Sequence, residues 1–398
     1  MRIGRTLPPA ASPIYPQDIF AGLKGIFQGD KAVKNLEKEL RQYFQVKHCF
    51  LVSSGKAALT LILMALKKNF PGQDEVLIPA FTCYSVPSSI VRSKLKVTLC
   101  DIDPDTLDFD FSQLTNKLRN NKLLCIIPTH LFGIPADVER VKRLTGNLTI
   151  PIVEDAAQAL GNQINGKKLG TLGDVSFFSL GRGKAFSTVE GGIIVTNSDE
   201  IAKHLSKMVQ KLDQYNYKEM VSLMFYALAL MIFMHPWLFW FPKSLPFLKL
   251  GETIYDPTFK IKKMTGFQAG LASGWQKKLK KFRKERRTVT ENWLNLLPRS
   301  FLPSKEVCKK ISCPIRLPVK IENEEKTRHI LKQNEKVGLG LSITYPDSIN
   351  GIEALAKHYK GQNFPAARKT ARQTITLPVH GFVKNQDQKK IIKLITGT

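Results

Sequence analysis

Cysteine is scarce and unpatterned. There are six in 398 residues, at positions 49, 83, 100, 125, 308 and 313, with no CxxC pair and no Cys/His spacing of the kind that grips zinc. That argues against a disulfide-stapled scaffold and a metal site, and leaves a reducing cytosol as the expected compartment. Acidic residues are short as well: 33 Asp+Glu stand against 60 Lys+Arg, a formal charge of +27. Such an excess draws the chain towards something anionic, whether a phosphorylated substrate, an acidic lipid surface or nucleic acid. No nucleic-acid-binding motif accompanies the charge, so nucleic acid is not an expected partner. The opening stretch MRIGRTLPPAASPIYPQDIF has no long apolar core, so no cleavable secretion signal is expected. No internal repeat stands out.

What is present is an ordinary globular composition, 43% apolar, in a chain long enough for one large α/β domain and a smaller one. Strand-like and helix-like runs alternate from His48 to Ile127, the rhythm of a mostly parallel sheet flanked by helices. The most informative stretch is VSFFSLGRGKAFSTVEGGIIVT, residues 175–196. Two apolar strand-like runs bracket a polar segment carrying four glycines, so Lys184 is held on a short, sharply turned backbone. Burial there disfavours the charged ammonium and leaves an amine able to attack a carbonyl. A solvated hairpin lysine is the competing reading.

A second stretch, TIPIVEDAAQAL at 149–160, ends an apolar run in Glu154-Asp155. Open α/β sheets place ligand-binding groups at the carboxyl ends of such strands, although Asp155 could equally cap the following helix. Taken together, a strand-end acid and a glycine-bracketed lysine suit pyridoxal 5'-phosphate (PLP), which needs a lysine amine for its aldehyde and an acid for its ring nitrogen.

VEDAAQA followed by LGDVSFFSLGRGKAFSTVEGG resembles the paired signatures of the DegT/StrS-type sugar aminotransferases, a family of fold-type I PLP enzymes. VSSGKAAL at 52–59, DEVLIPAFTCYS at 74–85, DIDPDTLDFD at 101–110, THLFG at 129–133 and FPAARKTARQTITLPVH at 364–380 follow in the family's order. The resemblance implies a role for each matching residue. Lys184 carries the cofactor and moves the proton. Asp155 holds the ring nitrogen, and Gln158 faces a ring substituent. Ser179 and the Ser54-Gly55-Lys56 turn hold the phosphate, the latter through backbone amides at a helix start. The side chain of Lys56, where the family has a small hydroxyl residue, is open between phosphate and solvent. The family's cofactor-stacking aromatic aligns with Cys83; Tyr84, less plausibly Phe81, or no residue supplies that ring, and core packing of Tyr84 is the equal alternative. His130 reads as a satisfied core histidine. The asparagine by which the family reaches a partner's phosphate is missing from KIKKM at 260–264, leaving Lys262 or Lys263 as substitutes, and the loop ITYPDSI at 343–349 lacks the family's histidine.

The expected organisation is an extended arm over 1–16, available to a partner subunit, a large PLP-binding domain over 17–213, an insertion over 214–258, and a linking helix with a small α/β domain over 259–398. In the insertion, Met220–Phe241 runs for about 22 residues without a formal charge, long enough to span a bilayer. A single crossing would split the enzyme between two compartments, and His235-Pro236 interrupts the run. A wedge dipping into one leaflet is therefore expected, supported by the polybasic segment between Lys260 and Arg287; a buried helix or dimer contact is the alternative. The functional expectation is a homodimeric, PLP-dependent aminotransferase. It would aminate a keto-sugar, nucleotide-linked, with glutamate as donor, for polysaccharide or glycolipid assembly, in the cytoplasm and peripheral to the inner membrane. A sugar dehydratase, in which the family replaces the lysine by histidine, or a membrane-associated PLP-binding regulatory protein without turnover, are the alternatives.

Overall fold

The computed structural model describes residues 3–146, 148–245, 248, 250–251 and 253–397. Two helices come first, α1 (Pro16–Gln28) and α2 (Asp30–Phe44). Then strands and helices alternate: β1 (His48–Val52), α3 (Gly55–Asn69), β2 (Glu75–Pro79), α4 (Ser85–Arg92), β3 (Lys96–Cys100), α5 (Phe111–Lys117), β4 (Leu123–Ile126), α6 (Val138–Thr145) and β5 (Val153–Asp155). A short hairpin, β6 (Gln163–Ile164) and β7 (Lys167–Lys168), precedes β8 (Val175–Ser179), β9 (Gly192–Thr196) and α7 (Asp199–Gln210).

These strands form one layer. β3-β2-β4 are parallel, β4 continues to β5 through parallel bridges at Ile126–Ile152 and Thr129–Asp155, and the order runs on as β5-β8-β9-β1. β5 and β8 are parallel, whereas β9 runs antiparallel to both β8 and β1. The mostly parallel sheet is as expected. Its central strands are buried without a break, LLCI in β4 and VSFF in β8, because helices cover both faces. α3 is buried almost throughout, from Gly55 to Leu66, and the Phe44 ring stacks on Phe178 at 4.7 Å from the other side.

The insertion begins with α8 (Tyr217–Phe233), capped by Asn216, and continues through α9 (Trp240–Lys243). Among the described residues no helix is long and apolar enough to cross a membrane. From Leu223 onward α8 is apolar all round, yet the helix buries only one stripe, Leu223, Ala227 and Leu230, against a cluster holding Ile14, Phe267 and Leu271. Its other face carries Phe225, 73% exposed, with Val221, Leu228 and Ile232, and Trp237 follows at 59%.

The linking helix is two helices. α10 (Gly266–Leu271) and α11 (Trp275–Leu296) are separated at Gly274, whose φ of 66° is left-handed. α10 packs backbone to backbone on α1: a Cβ on Gly266 would sit 2.2 Å from the Gly25 carbonyl oxygen. Beyond it lie α12 (Lys305–Lys310), β10 (Arg316–Lys320), α13 (Glu324–Val337), α14 (Glu353–Ala356), α15 (Pro365–Gln373), β11 (Thr374–Pro378) and α16 (Asn385–Thr396), with β10 and β11 antiparallel.

The proline-rich arm is extended, as its sequence dictates, but it lies along its own chain. Thr6 N–H donates to Pro236 O at 2.8 Å, Leu7 N–H to Gly338 O at 2.9 Å, and His380 Nε2 meets Pro8 O at 2.7 Å. Leu7, Ala11 and Ile14 are buried. Apolar side chains at every third or fourth position pack the arm into a seam between the sheet, the insertion and C-terminal elements.

Candidate active site

β1 ends in Ser53-Ser54 and α3 begins at Gly55. Ser54 is the N-cap, its Oγ accepting from Ala57 N–H at 3.1 Å. The first amides of a helix have no intrahelical acceptor, so Gly55 and Lys56 present free N–H groups at the positive end of a fifteen-residue helix. β9 runs close beside this turn: a Cβ on Gly192 would fall 2.1 Å from Ser54 O. Ser179, last residue of β8, touches Gly55, and its Oγ accepts from Gly181 N–H at 3.3 Å.

Lys184 follows on the turn between β8 and β9. Gly183 has φ 74° and lies against the arm, with Ala10 Cβ 3.1 Å from where its own Cβ would be. The turn closes through Val189, a β-branched residue held at φ 74°, where left-handed backbone is strained. Thr188 Oγ donates to Glu190 O at 2.8 Å and Val189 N–H donates to Ser187 Oγ at 3.1 Å, bonds that fix this conformation. From α11, the buried Arg286 donates to Lys184 O at 2.7 Å and to Ala11 O at 3.2 Å.

Asp155 ends β5, buried, with Oδ1 accepting from Ala157 N–H at 3.0 Å. Burial raises its pKa against the pull of that amide and of the Lys184 charge. Burial also lowers the pKa of Lys184, against Cys83 and Asp155, with Arg316 adding to the lowering. Desolvation therefore outweighs mutual attraction at both groups and works against the charged form of each. Next door, Glu154 and His130 are a buried pair at 2.8 Å. Ala136 N–H donates to His130 Nδ1, so the hydrogen-bond pattern puts the ring hydrogen on Nε2, facing Glu154. Burial pushes Glu154 up, but His130 and the Gly170 and Gly173 amides prevail and hold it below the usual carboxylate range. His130 is thus a structural residue, as expected.

Lys184, Asp155, Gln158, Ser179, Ser54, Gly55 and Lys56 all line one cavity of about 200 Å³. Tyr84 does not line it. Its ring is in the core and its hydroxyl is tied to Asp347, donating to O and accepting from N–H, both at 3.0 Å; burial pushes the phenol up to about 12. Cys83 faces the cavity instead, so the stacking role open to Tyr84 is corrected to core packing. The Lys56 ammonium turns to Asp256 at 3.4 Å and lies 4.4 Å from the Phe259 ring centre, neither bare nor on the phosphate cradle. Lys262 is likewise committed within its own chain, to Glu219 and Gln214 O.

Sequence reasoning passed over three residues. Gln158 Nε2 donates to the Tyr345 hydroxyl at 2.9 Å while its Oε1 accepts from Phe132 N–H at 3.1 Å, so Tyr345, edge-on to Phe81, is tied to a residue of the cavity wall. Arg316 interacts electrostatically with both Lys184 and Tyr345. Arg286 carries the lysine's carbonyl. The sequence marked the loop holding Tyr345 only as one that lacks the family's histidine; nothing in it marked the two arginines.

A model of the DegT/DnrJ/EryC1/StrS aminotransferase family matches residues 22–396. The chain belongs to that family. Among curated relatives, a GDP-perosamine synthase of Vibrio cholerae is 33% identical over 171 residues, 43% of this chain and 46% of that protein, so the aligned part is under half of the relative's length. A pleiotropic regulatory protein of Geobacillus stearothermophilus is 26% identical over 369 residues, 91% of this chain and 88% of that one. In structure, Helicobacter pylori PseC, an aminotransferase involved in pseudoaminic acid biosynthesis, superposes with a TM-score of 0.78 over 99% of both chains at 18% identity, a likeness of fold. The fold is that of the fold-type I sugar aminotransferases in this family.

Proposed function

We propose that the chain is a PLP-dependent aminotransferase that moves an amino group from an amino-acid donor onto a keto-sugar, nucleotide-linked, for cell-surface polysaccharide or glycolipid assembly. The observation that carries this reading is that Lys184, Asp155 and the α3 N-terminus open onto one cavity. The residues fit the cofactor: Asp155 is a buried carboxylate with a single backbone donor, suited to a protonated ring nitrogen, and the Gly55 and Lys56 amides suit a phosphate. When bound, PLP supplies an electron sink for the bond-breaking at the amine-bearing carbon. Lys184, whose pKa burial lowers, would carry the proton between that carbon and the cofactor. Asp155 would hold the ring nitrogen protonated, and Ser179 with Ser54 would hold the phosphate. The lysine itself favours amination over the dehydratase alternative.

The division into a large domain over 17–213, an insertion over 214–258 and the remainder belongs to this reading. So do the homodimer, the cytoplasmic location and peripheral contact with the inner membrane. Contact with anionic lipid rests on the unpartnered apolar face of α8 and on Trp237. Part of the polybasic segment is turned inward, with Lys278 on Asp18 and Arg286 on main-chain carbonyls, while Lys277, Lys280, Lys281 and Lys284 remain exposed. The test is the visible absorption of lysine-bound cofactor. It should appear in the purified protein, shift when glutamate converts the cofactor to its amine form, and be lost in Lys184→Ala; colour unchanged by that substitution would refute the assignment.

A further inference from the structure

A second cavity, of about 650 Å³, shares Ser54 and Lys56 with the Lys184 cavity and none of its other lining residues. One flank of α8 forms part of its wall. At about 100° per residue, Lys218, Ser222 and Phe225 succeed one another along that flank, and all three line the cavity. Phe225 also belongs to the exposed apolar stripe of Val221, Phe225, Leu228 and Ile232. The groove therefore passes from charge to hydrocarbon within about two turns of helix.

At the charged end, four lysines reach the cavity, Lys56, Lys218, Lys260 and Lys262, against two carboxylates, Glu190 and Glu219. Lys260 and Lys262 share Glu219 and hold it down to about 2, ionised. Glu190 is taken up by the Tyr215 hydroxyl, and burial raises its pKa, so its charge is the less available of the two. Lys56 has Asp256 at 3.4 Å, whereas Lys218 takes part in no ion pair among the described residues. Positive charge is thus in excess. Lys218 lies in the first turn of α8, whose positive end adds to it, and Arg182 brings a further cation to the lip, donating to the Tyr226 hydroxyl at 3.2 Å.

An occupant must bring negative charge to one end and hydrocarbon to the other. A free phosphate answers the lysines and leaves the stripe beyond Phe225 in water; an apolar helix covers the stripe and leaves the lysines unanswered. A lipid with an acidic headgroup does both. We propose that this cavity receives the phosphate headgroup of an acidic membrane lipid, whose acyl chains lie along the exposed stripe of α8. This rests on the peripheral membrane contact and gives that contact a headgroup site. Because Ser54 and Lys56 wall both cavities, a bound lipid sets the turn that begins α3 beside the membrane surface.

Dihexanoylphosphatidylglycerol, monomeric in dilute solution, probes the cavity without a bilayer. Calorimetric titration into the full chain should show a single site, weakened by about tenfold or more in Lys218→Glu and in Phe225→Ser, and changed by less than about twofold in Lys369→Glu, the same charge reversal at an exposed position of α15. An acid in the first turn suits a helix start, so Lys218→Glu should fold as wild type does. Dihexanoylphosphatidylcholine, with the same chains and no net charge, and glycerol 3-phosphate, with the phosphate and no chains, should each bind about tenfold more weakly or less still. GDP in excess should leave the lipid titration unchanged. A wild-type chain that binds no lipid, a Lys218→Glu variant that binds it as wild type does, or glycerol 3-phosphate bound as tightly as the lipid overturns the proposal. So does displacement by GDP, which gives the cavity to the acceptor, and so does a Phe225→Ser chain that sediments at half the wild-type mass with lipid binding intact, which gives the stripe to a second copy. Pelleting with phosphatidylglycerol vesicles is read separately. Its loss beside an intact monomer titration defeats the membrane contact and leaves the cavity its ligand, whereas pelleting without monomer binding defeats the cavity alone.

Discussion

The Arg286 guanidinium donates to the main-chain oxygen of Lys184 at 2.7 Å across 102 positions of sequence. The same side chain reaches Ala185 O at 3.4 Å and Ala11 O at 3.2 Å, so one buried cation from α11 ties the lysine turn to the arm that covers it. Burial lowers its pKa to about 10, leaving it charged at neutral pH. Replacing it with Ala should cost about 3 kcal/mol, because three carbonyls lose their donor in a dry site. Arg286→Lys should recover only part, having one ammonium for three divergent acceptors. Urea unfolding measures the loss, and the cofactor band should weaken in parallel; a variant as stable as wild type with a full band would show that the turn holds itself.

Asp155→Asn keeps the oxygen that accepts from Ala157 N–H but removes the charge. The half-reaction with glutamate should slow by about a hundredfold or more, since no anion then stabilises a protonated ring. Stability of the cofactor-free chain should hold or rise, because the lost group is a buried carboxylate whose ionised form burial disfavours. Stopped-flow spectroscopy and thermal melts read the two effects; turnover at the wild-type rate would remove Asp155 from the chemistry.

Acid should unfold the chain partly through His380. Burial, with Arg286 and Arg316 nearby, pulls its pKa down to about 4, against the Pro8 carbonyl and Asp387. The folded state keeps this ring neutral while the unfolded ring takes up a proton below its ordinary value of 6.5. The unfolded state therefore binds more protons between about pH 6.5 and 4, so stability is lost as pH falls through that window, by up to about 3 kcal/mol. His380→Gln should flatten the slope there in urea titrations at stepped pH. An unchanged slope would assign acid sensitivity elsewhere.

Phe225 and Trp237 are the exposed apolar side chains expected to enter lipid. Phe225→Glu with Trp237→Glu should weaken sedimentation with anionic vesicles by about tenfold or more, given about 1.5 kcal/mol or more for each large apolar side chain. Neither residue lines the cofactor cavity, so the cofactor band should persist. Double variants that still pellet with vesicles would reassign the apolar face to a protein contact.

Much of the site could be read in the sequence because it is local. Strand, turn and strand around Lys184, strand end and helix start around Asp155, and strand, glycine and helix at Ser54 are each a dozen residues or fewer, and their periodicity fixes which side chain emerges where. The same locality left Cys83 and Tyr84 ambiguous. A shift of one position exchanges the cavity for the core, and what decided it was a hydroxyl partner at Asp347. The α10–α11 break was hidden because Gly274 follows a run with helical periodicity on both sides.

The succession of strands and helices along the chain, and the turns that carry Lys184 and Asp155, were determined by the chain's own local pattern, since backbone preference and apolar alternation act over a few residues. Which cations surround that amine was decided only by tertiary packing. Arg286, Arg316, Tyr345 and the arm arrive from opposite ends of the chain, and their positions follow from how the covering elements bury their apolar faces, an outcome no short stretch of sequence contains.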